Sequence, residues 1–378
     1  MIATTDRKSI SYDPLLLGSV LLLVGMGLVM VYSASAITSL EKMGDSFYFL
    51  KRQAIAAGIG LVGMAVAMKL GYRRMARLAY PLLVVAIILL VLVLIPGLGH
   101  SAGGARRWIR MPGISLQPAE ITKVAWVIYL AYSLAKKREK VKSFSVGFLP
   151  HLAIAGLLVV LCMLEPDFGS SVALLFLMFV LLFALPFAYA AIARSEYRMK
   201  RILAFLDPWA HRHDVGYQVS ESLMSIGSGG LTGLGLGDGR QKLFFLPEAH
   251  TDFIFAIIGE ELGLLGVLAL VLLYGVIIWR GIRASLAASE PFGTYLGLGI
   301  TSLIGFQAIV NMSVAMGLVP TKGLTLPFIS YGGSSLIMLM GAAGLLLSIS
   351  SNAGTPRRVA RKPTREMAAQ SPPDGVPA

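Results

Sequence analysis

Glu248, His250 and Asp252 alternate through the string Pro247-Glu248-Ala249-His250-Thr251-Asp252, which runs directly into the apolar stretch Phe253-Ile254-Phe255-Ala256. A carboxylate where a loop meets a membrane helix is partly desolvated, which raises its pKa and makes it a stronger base once ionised. The same residues allow two other chemistries. His with two carboxylates is a ligand set that a divalent cation such as Mg or Mn accepts, and Thr251 or Asp252 is a suitable cap for a helix beginning at Phe253. General base, metal site and helix cap are three readings of one string, and composition does not choose between them.

Cations stand where an anion could be held. Arg106-Arg107-Trp108-Ile109-Arg110 is a basic cluster that predicts either a bound anion or contact with lipid headgroups. Lys322 lies in Val319-Pro320-Thr321-Lys322-Gly323-Leu324-Thr325-Leu326-Pro327-Phe328-Ile329-Ser330-Tyr331-Gly332, whose prolines and glycines exclude a regular helix. Non-helical backbone near membrane depth is tolerated only when it is buried or lines a cavity, so Lys322 is expected at a cavity. In Gln117-Pro118-Ala119-Glu120-Ile121-Thr122-Lys123, Glu120 and Lys123 share a helix face and can pair, either to hold helices together or to meet substrate. Glu165-Pro166-Asp167 reads as a tight turn in which Asp167 caps the helix that starts at Phe168.

Other chemistries are excluded. The run Gly227 to Gly239 contains no G-x-G-x-x-G and follows no strand, so it is not a dinucleotide fingerprint, and its glycines are expected to permit tight turns against the outer surface. No serine sits in a G-x-S-x-G elbow. His211 and His213 flank Arg212 in a polar loop and read as solvated. The single cysteine, Cys162, lies in an apolar run, which removes any intrachain disulfide or Cys-based zinc site.

The elements that must position these groups are membrane helices. Of 378 residues, 56% are hydrophobic and 14% charged, against about 25% charged in an ordinary soluble domain. Several apolar runs reach the ~20 residues that cross a bilayer. The chain is therefore expected to be an all-α polytopic membrane protein, not a soluble enzyme. Expected spans lie at 15–37, 50–68, 78–96, 116–135, 147–164, 169–193, 253–279, 294–318 and 333–350. Residues 1–12 are an N-terminal tail, 353–378 a disordered basic tail, and 205–251 one large loop.

The net charge of +13 follows membrane sidedness, not nucleic acid. Arg7-Lys8, the Lys69–Arg77 turn, the Lys136–Lys142 cluster, Arg280/Arg283 and the C-terminal basic residues all read as cytoplasmic, with anionic lipid as partner. Loops 97–115, 205–251 and 318–332 then lie outside. The parity closes only if 169–204 holds two crossings broken at Pro186, 169–184 and 186–203, which makes ten spans with both termini inside. The second crossing would be short and snorkelled by Arg194, Arg198, Lys200 and Arg201.

The strings PEAHTDFIFAIIGEELG, PTKGLTLPFISYGGSS, ARRWIRMPGISLQPAEITK, EPDFGSS and DPW…GYQ…ES resemble the SEDS family (shape, elongation, division and sporulation) over about residues 13–352. PTKGLTLPF and the alanine of PEAHTD look more like the cell-division, FtsW-like branch than the RodA-like elongation branch. That resemblance implies a peptidoglycan glycosyltransferase in the bacterial inner membrane at the septum. Its substrate would be lipid II, and its partners a class B penicillin-binding protein and other divisome proteins. It carries the catalytic carboxylate over to Asp252. It also carries the loop lysine of PTKG over to Lys322 and the arginine before tryptophan over to Arg107. The candidate substrate-binding residues as a whole are Arg107, Trp108, Arg110, Gln117, Glu120, Lys123, Glu248, His250, Thr251, Lys322 and Ser330. Phe244 stands where the family often has an acidic residue, and the segment 184–204 is shorter than the family pattern.

Lipid II combines sugar, pyrophosphate and polyprenyl tail, and so needs a base above cations above an apolar groove. The implied reaction is an inverting single displacement with Asp252 as base and Arg107, Lys322 or a divalent cation on the leaving pyrophosphate. A lipid II flippase and a non-catalytic scaffold are the rival functions. The flippase needs no base, and the scaffold needs no ionisable rim.

Overall fold

The computed structural model describes residues 12–102, 105–111, 114–137, 148–182, 217–242, 246–319 and 323–351. Its elements, in chain order, are α1 (Pro14–Met43), α2 (Tyr48–Leu70), α3 (Tyr72–Leu94), β1 (Gly99–Ala102), β2 (Ala105–Met111), β3 (Ile114–Leu116), α4 (Pro118–Lys137), α5 (Leu149–Leu164), α6 (Phe168–Leu182), α7 (Tyr217–Ser228), α8 (Ile254–Leu286), α9 (Pro291–Ala315) and α10 (Gly333–Ser351). Helices α1, α2, α3, α8, α9 and α10 are long and apolar enough to cross a membrane, and α5 and α6 are shorter apolar helices. The chain is a helical, polytopic membrane protein. The expected crossing at 186–203 lies outside the described residues, as do Pro186, His211, His213, Phe244, Lys322 and both tails.

Charged contacts at one end agree with the sidedness read from lysines and arginines. Asp13 caps α1 by accepting from the amides of Leu15 and Leu16, and its other oxygen takes Arg280 Nε of α8 at 2.6 Å. Arg73 at the start of α3 meets Glu290 at 3.3 Å just before α9. The Asp13 amide donates to Ser350 near the end of α10. The start of α1, the α2–α3 turn, the α8–α9 turn and the end of α10 therefore share one end of the bundle. The core runs between the helices and is closed by small residues. On α2 and α10, a Cβ on Gly60 would stand 2.5 Å from Met340 Sδ and one on Gly344 2.5 Å from the Met64 carbonyl, so the two helices touch nearly backbone to backbone.

Two features depart from the sequence reading. The loop expected at 97–115 holds a three-stranded antiparallel sheet in the order β1-β2-β3, in which His100 opposes Trp108 and Arg110 opposes Ser115. The strands are too short for their alternation to stand out in an apolar chain. The loop expected at 205–251 contains α7, whose buried face carries Val219, Ser220, Glu221, Ser222 and Ser225. Its face is built from serines and was invisible to an apolar pattern.

The glycine run makes the expected tight turns, with positive φ at Gly230, Gly233, Gly235 and Gly237, and it is exposed on one side while the other lies against α8. Helix α8 is interrupted at Gly263, which adopts φ 65°, ψ −165°. The break frees backbone groups that the run satisfies: the Glu260 and Glu261 carbonyls accept from Leu234 and Gly235, while Leu264 and Leu265 donate to Gly230 and Leu231. A Cβ at Gly233 would fall 2.1 Å from the Glu261 carbonyl oxygen, so no other residue fits there. Lys242 clamps the end of the run, with Nζ 2.6 Å from both Glu261 Oε1 and the Gly237 carbonyl.

Candidate functional site

At the end opposite Asp13 and Arg280, two loops are stapled together. Ser330 donates to the Thr251 carbonyl at 2.6 Å and accepts from the Leu326 amide at 2.8 Å. The Tyr331 amide donates to the His250 carbonyl at 2.9 Å. Asn311 of α9 donates to the carbonyls of both Asp252 and Leu324, at 2.9 and 2.7 Å. Gln53 of α2 donates to the Ser330 carbonyl and accepts from the Gly332 amide. The backbone of segment 248–253 is thus held by the 330–331 loop and by α9, and Glu248 adopts a left-handed φ of 57° within it. Ser330, expected to touch substrate, is buried and works as one of these staples.

Asp252 lies half-buried at the junction. The position at which a Cβ of Gly323 would stand is 3.3 Å from Asp252 Oδ2 and 4.0 Å from Arg107 Nη1, so carboxylate and guanidinium face one another across a glycine. Arg107 is itself anchored, with Nε donating to the Glu165 carbonyl at 3.2 Å and Nη2 to the Pro166 carbonyl. The cap reading of Asp252 is corrected. The N-cap position of α8 is Phe253, which has no capping group, and the helix opens at Ile254. The cap expected at Asp167 is present: Oδ1 accepts from the Ser170 amide at 3.0 Å, and Gln117 Nε2 donates to Oδ2 at 3.1 Å.

Glu248 and His250 are occupied elsewhere. Glu248 Oε2 accepts from Thr251 Oγ1 at 2.7 Å. The His250 ring lies 4.6 Å from Phe49 and 5.7 Å from Tyr331. Burial pushes the His250 pKa below its ordinary value, Glu248 opposes that, and Lys42 adds to it. Among the described residues no three His, Cys, Asp or Glu side chains gather into a group that could hold a metal. The ligand set Glu248, His250 and Asp252 is therefore not assembled among the described residues, and its histidine packs at a tilt against the Phe49–Tyr331 pair. Glu120 and Lys123 are likewise spent on each other, 2.8 Å apart and buried, with Ser335 of α10 donating to Glu120 Oε2. This is the geometry of a brace between α4 and α10.

Beside the junction lies a cavity of about 380 Å³, lined by Arg52, Trp108, Arg110, Thr251 and Tyr331 among others. Arg52, Phe49 and Tyr331 were not singled out from the sequence. For Arg52 a signal existed, since Lys51-Arg52 is a basic pair at the expected outer end of a span. Glu165 was read only as part of a turn. It is fully buried with neither carboxylate oxygen hydrogen-bonded, and burial, reinforced by Asp167 and opposed by Arg107, pushes its pKa up to about 8.

The family model of the FtsW, RodA and SpoVE cell cycle proteins matches residues 14–354. The chain belongs to this family. Among family members, a protein of Geobacter metallireducens named "Probable peptidoglycan glycosyltransferase FtsW" is 47% identical over 91% of this chain and 96% of its own length. Stage V sporulation protein E of Bacillus subtilis is 42% identical over 91% of this chain and 98% of its own. A chain of a solved peptidoglycan synthase complex, described as coordinating polymerization and crosslinking, superposes with a TM-score of 0.75 at 30% identity. It covers 92% of this chain and 100% of that one. The rod shape determining protein RodA of Thermus thermophilus superposes with a TM-score of 0.66 at 30% identity, over 91% of this chain and 98% of that one.

Proposed function

We propose that this chain is a peptidoglycan glycosyltransferase of the division machinery, which polymerises lipid II at the outer face of the bacterial inner membrane at the septum. The relatives named as peptidoglycan glycosyltransferases support the activity, and the family match supports the membrane setting. The observation that carries the chemistry is the carboxylate of Asp252 facing the guanidinium of Arg107 across Gly323. Asp252 removes the proton from the acceptor GlcNAc 4-hydroxyl as that oxygen forms its bond to the donor MurNAc C1. The C1–phosphate bond breaks at the same time, and the lipid pyrophosphate departs with the bonding electrons toward Arg107. Displacement at one carbon with one base inverts the configuration and leaves no covalent enzyme intermediate. Lys322, in the loop that presents Gly323, is proposed to neutralise the same leaving group. The described residues do not form a protein cage for a divalent cation. A class B penicillin-binding protein is the proposed partner, in keeping with the solved synthase complex.

Purified protein in liposomes with lipid II tests this. Asp252→Asn keeps the shape of the junction and removes the base, so polymer yield should fall by roughly 10² or more. A wild-type-like yield from Asp252→Asn, or lipid II scrambling without polymer from the wild type, overturns the proposal.

A further inference from the structure

Strand β2 sorts its arginines onto opposite faces. Alternation puts Arg107 on one side, where it is anchored to the α5–α6 turn and faces Asp252. Trp108 and Arg110 point to the other side, where each is opposed by a strand partner, His100 and Ser115, that lines the same cavity. Arg52, in the second turn of α2, lines that cavity as well, its guanidinium 4.5 Å from the Tyr48 ring. Among the described residues neither Arg52 nor Arg110 has an acidic partner and no Asp or Glu lines the cavity. Two unneutralised guanidinium groups around one hollow favour a ligand with two or more negative charges. Ile55, which lines the cavity, shares one face of α2 with Ile59, Val62 and Val66, all exposed, an apolar strip along which a polyprenyl chain could run from the cavity.

A lipid II polymerase must hold two polyprenyl pyrophosphates, because the acceptor keeps its own while the donor loses one. The donor's pyrophosphate is attached to the very carbon under attack, so it must lie beside the base. The acceptor's is two sugar rings from its reacting 4-hydroxyl, so it must lie further off. We infer that Arg52 and Arg110, on the Trp108 face of β2, hold the polyprenyl pyrophosphate of the acceptor, while the donor's departs on the Arg107 face. Trp108 and Tyr331 are then the surfaces against which the acceptor sugars lie, and Thr251 is the point where that cavity abuts Asp252. This assignment rests on the polymerase reading above and gives its reaction an orientation.

The test uses full-length protein in liposomes and a single coupling between two blocked substrates. One is lipid II with its 4-hydroxyl blocked, which can only donate. The other is lipid II with its C1–phosphate oxygen replaced by CH2, which can only accept. Arg52→Ala and Arg110→Ala should each raise the half-saturating acceptor concentration roughly tenfold and that of the donor less than about twofold, since each loses one charge-assisted contact. Arg52→Lys should recover part of the loss. Lys51→Ala, which breaks only an exposed pair with Asp45 outside the cavity, should change neither value. An unchanged acceptor value in both alanine variants, or a rise in the donor value instead, overturns the assignment. So does an effect present in anionic vesicles and absent in zwitterionic ones, which would mark the arginines as headgroup contacts. Absence of coupling by the wild type would instead bring down the polymerase reading, so the two failures are distinguishable.

Discussion

Asn311, from within α9, donates its Nδ2 to the backbone carbonyl of Asp252 at 2.9 Å and to that of Leu324 at 2.7 Å. One buried amide thus sets the spacing between the loop bearing the proposed base and the loop that presents Gly323. Asn311→Ala should lower polymerisation by about tenfold or more while the protein still inserts and purifies, because two buried carbonyls lose their donor at about 1–3 kcal/mol. Asn311→Asp should be worse, since a carboxylate would face two carbonyl oxygens. Lipid II turnover by purified variants checks both, and Asn311→Ala with wild-type turnover would show that the loops hold their spacing unaided.

Arg107 binds two backbone carbonyls of the α5–α6 turn while facing Asp252. Arg107→Lys can satisfy one of these contacts but not both and the substrate, so activity should recover only in part relative to Arg107→Ala. Full activity in both variants, measured as polymer yield at saturating lipid II, would reduce the residue to a headgroup anchor.

Glu165 should give the molecule a pH-dependent stability. Its carboxyl is held neutral by burial and by the neighbouring Asp167, against the pull of Arg107, and its pKa is raised from 4.5 to about 8. Between those values the folded chain holds a proton that the unfolded chain has released, so this group's contribution to stability declines as pH rises from about 4.5 to about 8 and is flat above. Glu165→Gln removes the titration. The Tm of the variant in detergent should therefore gain on the wild type as pH rises through that window. Parallel Tm–pH curves would show that Glu165 does not titrate there.

The glycine run makes a graded prediction. Gly233→Ala places a Cβ 2.1 Å from the Glu261 carbonyl oxygen at a φ of 83°, and should cost at least about 3 kcal/mol or prevent folding. Gly237→Ala also has a positive φ, 90°, but meets nothing within 4 Å, and should cost only about 1–2 kcal/mol. Thermal unfolding of the two variants compares them directly. Equal losses would mean that the contact with the α8 break is not what demands glycine.

The amino-acid sequence by itself determined the membrane class, most helix positions, the shared end of the basic turns and the candidate Asp252. These follow from local quantities: apolar runs long enough to cross a bilayer, charge between them, and motif strings. Tertiary structure decided which candidates meet. It brought Asp252 and Arg107 together across Gly323 from segments far apart in the chain, and it turned Arg107 and Arg110 to opposite faces through a strand whose alternation the apolar background had hidden. It also withdrew residues that looked chemical. Glu120 and Lys123 neutralise each other in the core, His250 packs at a tilt against Phe49 and Tyr331, and Ser330 is a staple between loops. A polar side chain buried in a membrane bundle is costly without a partner, and where the fold supplies one, often remote in sequence, that partner decides whether the group is free to act on a substrate.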